Sequence, residues 1–179
     1  MILGPKKLLQ LVKSKKLVTG LSERELTNPE GAGFDLRLGE VYKIKGSAFL
    51  AEVERKTPEV KLVVAYNPRR KAKIVIKPGQ FYLVKTVEAV NLPLNLAAVI
   101  IPRTTTFRSG LFIRTGPVQP GYKGELTFGL KNEGPVPVTL EMGARFVHIQ
   151  FHEVKGGGSQ YRGQWQGGRV TTKQKEKQV

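Results

Sequence analysis

The sequence predicts a mainly β fold, an all-β barrel or sandwich behind a short N-terminal helix. Beyond residue 33 nearly every segment alternates apolar with polar residues or runs in β-branched ones. Gly, Pro and Asn punctuate these segments at short intervals, so that some ten short strands follow one another. A helical pattern occurs only at the start.

Pro5 to about Lys16 is predicted as that helix: Pro5 suits a first-turn position, Leu8, Leu9 and Val12 form an apolar stripe, and lysines cover the rest. Asn28 to Gly33 reads as a loop. Candidate strands follow at 34–38, 40–45, 60–66, 72–77, 80–86, 97–101, 111–115, 124–131, 136–140 and 144–153. In the last of these Val147, Ile149 and Phe151 face one way, while His148, Gln150 and His152 face the other. The two histidines stand about 13 Å apart along the strand, too far to chelate one ion. Residues 1–154 are expected as one β domain and 155–179 as a flexible tail. Lys155 to Gly158 is a glycine hinge, and the tail is too poor in aliphatic residues for a core of its own. Its Tyr161, Arg162, Trp165 and Arg169 suit either a flap that orders over a ligand or a disordered end with one packed tryptophan.

At 179 residues the chain is long enough to bury a core without staples, and it has no cysteine to make disulfides or thiolate metal sites. No apolar run reaches the ~20 residues of a membrane span, and no secretory signal pattern opens the chain, so a cytoplasmic protein is expected. The net charge is +16, but residues 1–20 carry five lysines and no acid, and residues 155–179 carry six basic residues and one acid. With so much of the excess at the ends, nucleic-acid binding is not the favoured reading. Asp35 is the sole aspartate, which excludes paired-aspartate chemistry; two histidines make a zinc hydrolase a poor fit, and no serine-nucleophile motif is present.

The chemistry concentrates in Pro102 to Asn132. Arg103, Thr104, Thr105, Thr106 and Arg108 bring guanidinium forks and hydroxyls, the groups that hold phosphate oxygens. A turn from Pro120 to Gly124 then presents Tyr122, whose face suits a sugar or base.

These segments, in this order, resemble the dUTPase/dCTP deaminase superfamily from Gly33 to about Gly168. Gly33 to Leu38 is similar to its first motif, Pro102 to Thr105 to its Pro-Arg-Ser-Ser phosphate motif, and Val118 to Leu126 to the hairpin that cups the base and deoxyribose. Gly143 to Phe151 resembles the strand that follows, and Tyr161 to Gly168 the closing tail of the deaminase branch. The resemblance implies a homotrimer of distorted β-barrels (a β-clip fold), with sites at subunit boundaries. It implies dUTP or dCTP as substrate and Mg²⁺ carried by the phosphates, with no metal ligand on the protein. Arg103, Thr104 and Thr105 would hold phosphates, and Arg108 would bridge phosphate and interface. Val118, Gln119 and Tyr122 would cup the base and sugar, Tyr122 excluding a 2′-hydroxyl. Asp35 would order the site or its metal waters, and Tyr161, Arg162, Trp165 and Gln166 would close over the ligand.

Two reactions belong to that scaffold. The deaminase branch places a glutamate where this chain has Gly129, and a glycine moves no protons. The dUTPase branch places a water-activating aspartate where this chain has Gln119; an amide positions water without accepting its proton. His148 stands where a glutamine is usual, and Gln164 and Gly168 depart from the deaminase tail. Hydrolysis of dUTP to dUMP and diphosphate is the favoured expectation, with Gln119, Asp35 and Arg108 as its catalytic candidates. Phosphoryl transfer rests on positioning and electrostatics, which an altered base harms less. Deamination of dCTP by a rearranged site, nucleotide binding without turnover, and a basic β-barrel on nucleic acid are the alternatives.

Overall fold

The computed structural model describes residues 1–178; Val179, the last residue of the expected tail, lies outside them. The chain opens with α1 (Pro5–Lys15), β1 (Val18–Thr19) and α2 (Glu23–Thr27). Strands β2 (Phe34–Lys45), β3 (Phe49–Leu50), β4 (Glu54–Lys56), β5 (Glu59–Ala65), β6 (Lys73–Ile76), β7 (Phe81–Asn91) and β8 (Leu96–Pro102) lead to α3 (Thr104–Arg108). After it come β9 (Leu111–Arg114), β10 (Lys123–Asn132), β11 (Val138–Glu141), β12 (Arg145–Glu153) and β13 (Glu176–Lys177).

The fold is mainly β, as expected, and its principal sheet is nearly closed. Antiparallel strands run in the order β8-β12-β2-β7-β10-β9, with β1 on β7 and β5 on β2. Past β9 the chain returns to β8: Val118 and Ala98 exchange N–H···O bonds of 2.8 and 3.0 Å, and the Thr115 hydroxyl donates to the Ile100 carbonyl at 3.1 Å. That return covers what would otherwise be an open edge and gives the sheet its barrel character.

The predicted alternation of β12 is realised: Val147, Ile149 and Phe151 are fully buried, and Phe151 meets Phe34 edge-on at 6.4 Å. Leu36 and Leu38 of β2 and Leu8 of α1 complete this part of the core. Each such side chain contributes about 1.5–3 kcal/mol through burial.

Four expectations need correction. The strands expected at 34–38 and 40–45 are one, because Gly39 marks a bulge instead of a break: the register shifts between Leu38↔Thr86 and Glu40↔Lys85. A Cβ at Gly39 would lie 2.7 Å from the Thr86 carbonyl, so the crossing is open only to glycine. Residues 104–108 form α3, although a helical pattern was expected only at the start of the chain. Residues 23–27 form α2, which the Ser22–Glu25 capping-box spacing signals. Residues 49–56 form β3 and β4, which pair with β13 from the far end of the chain.

Residues 155–178 run along the barrel wall. The N–H groups of Gly158, Tyr161 and Gly167 donate to the carbonyls of Leu94, Pro120 and Lys123 at 2.7, 2.8 and 2.7 Å. Farther on, Arg169 donates to Glu176, and Thr171 and Thr172 share hydrogen bonds with Thr57.

Candidate active site

The functional side chains gather in two places of opposite chemistry. The first is charged. Asp35 of β2, 7 % exposed at its side chain, takes Arg145 Nη1 at 2.9 Å and Arg103 Nε at 3.0 Å on Oδ2, and His148 Nδ1 at 2.9 Å on Oδ1. Register explains the gathering: His148 of β12 lies opposite Asp35 on one side and Ile101 of β8 on the other. Two residues beyond Ile101, the Arg103 N–H donates to the Phe146 carbonyl at 3.1 Å, and the Thr106 hydroxyl donates to the same oxygen at 2.9 Å. These bonds seat α3 against β12.

Burial would raise the Asp35 pKa, but the His148 hydrogen bond and the charges of Arg103 and Arg145 outweigh it and hold the carboxyl below its usual range. Asp35 is therefore an anion fixed among cations. Arg24 of α2 stands 3.8 Å away, yet it is engaged by Glu25 and, at 2.7 Å, by Glu30. Glu25 also accepts the Asp35 N–H at 3.0 Å. The surplus positive charge thus comes from Arg103 and Arg145, two guanidinium groups anchored by one carboxylate and suited to a further anion.

The second place is an apolar cavity of about 460 Å³. Its walls include Val118, Gln119, Tyr122, Tyr161 and Trp165, five of the residues singled out from the sequence. Gln119 to Tyr122 form a tight turn: the Tyr122 N–H donates to the Gln119 carbonyl at 3.1 Å, with Gly121 at φ +77°. The Tyr122 hydroxyl donates to the Glu125 carbonyl at 2.6 Å, burial pushes its pKa up to about 12, and Tyr161 packs edge-on at 5.4 Å. Phe81, Leu83, Leu126 and Phe128 make the remaining wall largely hydrocarbon.

Among the described residues no aspartate, glutamate or histidine lines this cavity. A Cβ at Gly129 would come within 3.2 Å of the Phe81 ring, so a side chain there would need that ring to give by a few tenths of an ångström. The Thr127 hydroxyl lines the cavity, buried and without a hydrogen-bond partner among the described residues. In register beside Thr127, Lys85 lies between Glu40 and Glu125 at 3.3 and 3.8 Å.

One chain does not bring the two places into a common cleft. Val118 pairs with Ala98, and Arg103 lies five residues farther on, about 16 Å at strand rise. Thr104, Thr105 and Arg108 project from α3 as exposed residues and join neither group. Arg162 is exposed as well. Gln166 is spent on the turn, accepting the Lys123 N–H at 2.9 Å and donating to the Gly121 carbonyl at 3.0 Å.

Sequence reasoning missed Arg145, Arg24 and Thr127, whereas Arg169, noted in the tail, does line the cavity. Strict alternation puts Arg145 on the core side with Val147, but a bulge between them turns it toward His148. Arg24 rides on the overlooked α2, and its capping-box spacing was the available signal.

The dCTP deaminase-like family matches residues 2–154. The chain belongs to that family. Its members among known proteins carry both kinds of name. The "Probable deoxyuridine 5'-triphosphate nucleotidohydrolase" of Methanothermobacter thermautotrophicus is 32 % identical over 142 residues, 79 % of this chain and 89 % of the relative. The "dCTP deaminase" of Pyrococcus furiosus is 32 % identical over 157 residues, 87 % and 88 % of the two chains. The crystal structure of 2'-deoxycytidine 5'-triphosphate deaminase from Agrobacterium tumefaciens superposes with a TM-score of 0.65 at 20 % identity. That likeness concerns the fold; it covers 84 % of this chain and 47 % of the other, so this member of the dCTP deaminase-like family spans about half the length of its structural neighbour.

Proposed function

We propose that the protein is a pyrimidine deoxyribonucleoside triphosphate enzyme that hydrolyses dUTP to dUMP and diphosphate. The observation that carries this reading is the cavity lining, in which no aspartate, glutamate or histidine occurs among the described residues, with Gly129 lying behind the Phe81 ring. Deamination at the ring needs a proton carrier beside the base, and here hydrocarbon and a glycine occupy that ground. Hydrolysis needs the base held, the phosphates neutralised and a water placed, and the two groups of residues supply the first two between them. The base and deoxyribose would lie against Val118, Gln119 and Tyr122, with Tyr161 and Trp165 closing from the tail. Arg103 and Arg145, with the exposed Thr104, Thr105 and Arg108 nearby, would take the phosphates.

Because the halves stand apart in one chain, the reading includes a homotrimer in which one protomer's arginines meet its partner's cavity. The exposed Val99, Ile101 and Phe107 beside the charged group suit such a boundary. Both oxygens of Asp35 are occupied by Arg103, Arg145 and His148, and the described residues contain no cluster of three metal-binding side chains. A Mg²⁺ ion would therefore be held by the substrate's phosphates and not by carboxylates of this chain, and when bound would supply charge neutralisation.

Deamination of dCTP is the second reading, favoured by the names of relatives such as the Pyrococcus protein. Purified protein incubated with Mg²⁺ and either dUTP or dCTP separates the two. Diphosphate from dUTP without ammonia from dCTP is expected; ammonia would establish the second reading, and neither product would end both.

A further inference from the structure

Among the described residues the cavity offers no group able to accept a proton near neutrality: Gln119 is an amide, Tyr122 is pushed up to about 12, and Arg169 is a cation. The charged group does contain one. We infer that His148, oriented by Asp35, is the general base of the hydrolysis, its Nε2 taking the proton of the attacking water. This rests on the hydrolytic reading above.

The geometry has the parts such a dyad needs. Asp35 Oδ1 lies 2.9 Å from His148 Nδ1, and the arginines on Oδ2 keep that carboxylate ionised. An ionised carboxylate accepts only, so Nδ1 carries the proton and Nε2 presents its lone pair. Among the described residues Nε2 has no hydrogen-bond partner, and the side chain is 20 % exposed. Nε2 passes directly over Gly33, where a Cβ would lie only 2.6 Å from it. A glycine at 33 therefore leaves the nitrogen uncovered. His148, Asp35 and Ile101 share one row across three strands, on the face away from the core. Arg103 stands two residues from Ile101 and its Nε reaches the same carboxylate at 3.0 Å, so the proton acceptor and a guanidinium suited to phosphate meet on Asp35.

The charged groups around His148 come from each packed element: Asp35 on β2, Arg145 on β12, Arg103 at the end of β8, and Arg24 with Glu25 on α2. In the step itself, the water oxygen forms a bond to phosphorus while one of its protons passes to Nε2. The bond from that phosphorus to the bridging oxygen breaks, and its electron pair leaves with diphosphate. The imidazolium then returns the proton to the diphosphate or to solvent. Asp35 touches no reacting atom and serves as a positioning residue.

The test compares wild type with His148→Gln, His148→Ala and Asp35→Asn, using diphosphate release and the rise in melting temperature with dUTP. For both histidine variants kcat falls about 10²–10⁴-fold while KM and the dUTP-induced rise stay near wild type. Added imidazole restores part of the His148→Ala rate. Asp35→Asn lowers kcat and moves the acid limb of its pH profile. Either histidine variant retaining wild-type kcat overturns the dyad alone, since hydrolysis itself would stand. Loss of the dUTP-induced rise together with turnover in a variant that still melts cooperatively also overturns it, by making His148 a binding residue. Wild-type protein that is stabilised by dUTP yet releases no diphosphate overturns the hydrolytic reading and the dyad with it.

Discussion

The arginine–aspartate group and the apolar cavity solve opposite problems with the same barrel. The first packs charge densely and keeps it ionised: one carboxylate holds two guanidinium groups and an imidazole within 3.0 Å. The second is mostly apolar and aromatic, with Arg169 its one charged lining residue among the described residues, and burial pushes the Tyr122 pKa up. A charge fixed in a partly dry setting attracts an anion strongly, whereas an aromatic cavity favours a flat, uncharged ring. A ligand with a polyanionic end and a heterocyclic end needs both. Neither region alone accounts for a triphosphate-binding protein.

The sharpest way to test that division is to move charge across it. Gln119→Asp gives the cavity side the carboxylate it lacks; with His148 already taking the proton, diphosphate release should stay near the wild-type rate, and a rise of about 10²-fold would move the proton acceptor to the cavity side. Asp35→Asn should break the other side. It leaves Arg103 and Arg145 without their shared anchor, and stability should fall by about 2–4 kcal/mol in denaturant titration. The pH dependence follows with its sign. The Asp35 carboxyl is held below its unfolded value, so its contribution is complete above the ordinary carboxylate range and drains away as pH falls through the depressed value. Melting temperatures of wild type should drop on that acid side, and Asp35→Asn should flatten the drop.

Gly129→Glu is a smaller perturbation. The new side chain meets the Phe81 ring, so about 1–3 kcal/mol of stability should be lost and no ammonia gained from dCTP. Combining it with Phe81→Ala should recover part of that loss. Smallest is Tyr122→Phe, which removes the bond to the Glu125 carbonyl and should cost about 1 kcal/mol, leaving the rest of the apolar lining in place.

Much of the cavity was legible in the sequence. The Gln119–Tyr122 turn depends on Pro120 and Gly121 side by side, and turn chemistry of that kind is local. The tail residues Tyr161 and Trp165 stood out because aromatics in a glycine-rich polar stretch have no core of their own to enter. The charged group was half legible. Asp35 and Arg103 were visible by type, but Arg145 was hidden by a bulge, and α3 lay outside the expected helix. Thr104, Thr105 and Arg108 therefore project from a helix, and one chain joins them to no anion-holding partner.

By itself the sequence determined the strand periodicity, the family, the tight turn and the absence of carboxylates at Gln119 and Gly129, because each is written in neighbouring residues. Only the tertiary structure decided which cations meet Asp35, that the Phe81 ring lies over Gly129, and that the tail lies against the cavity. Those depend on register between strands far apart in the chain, where a one-residue bulge turns a side chain to the opposite face.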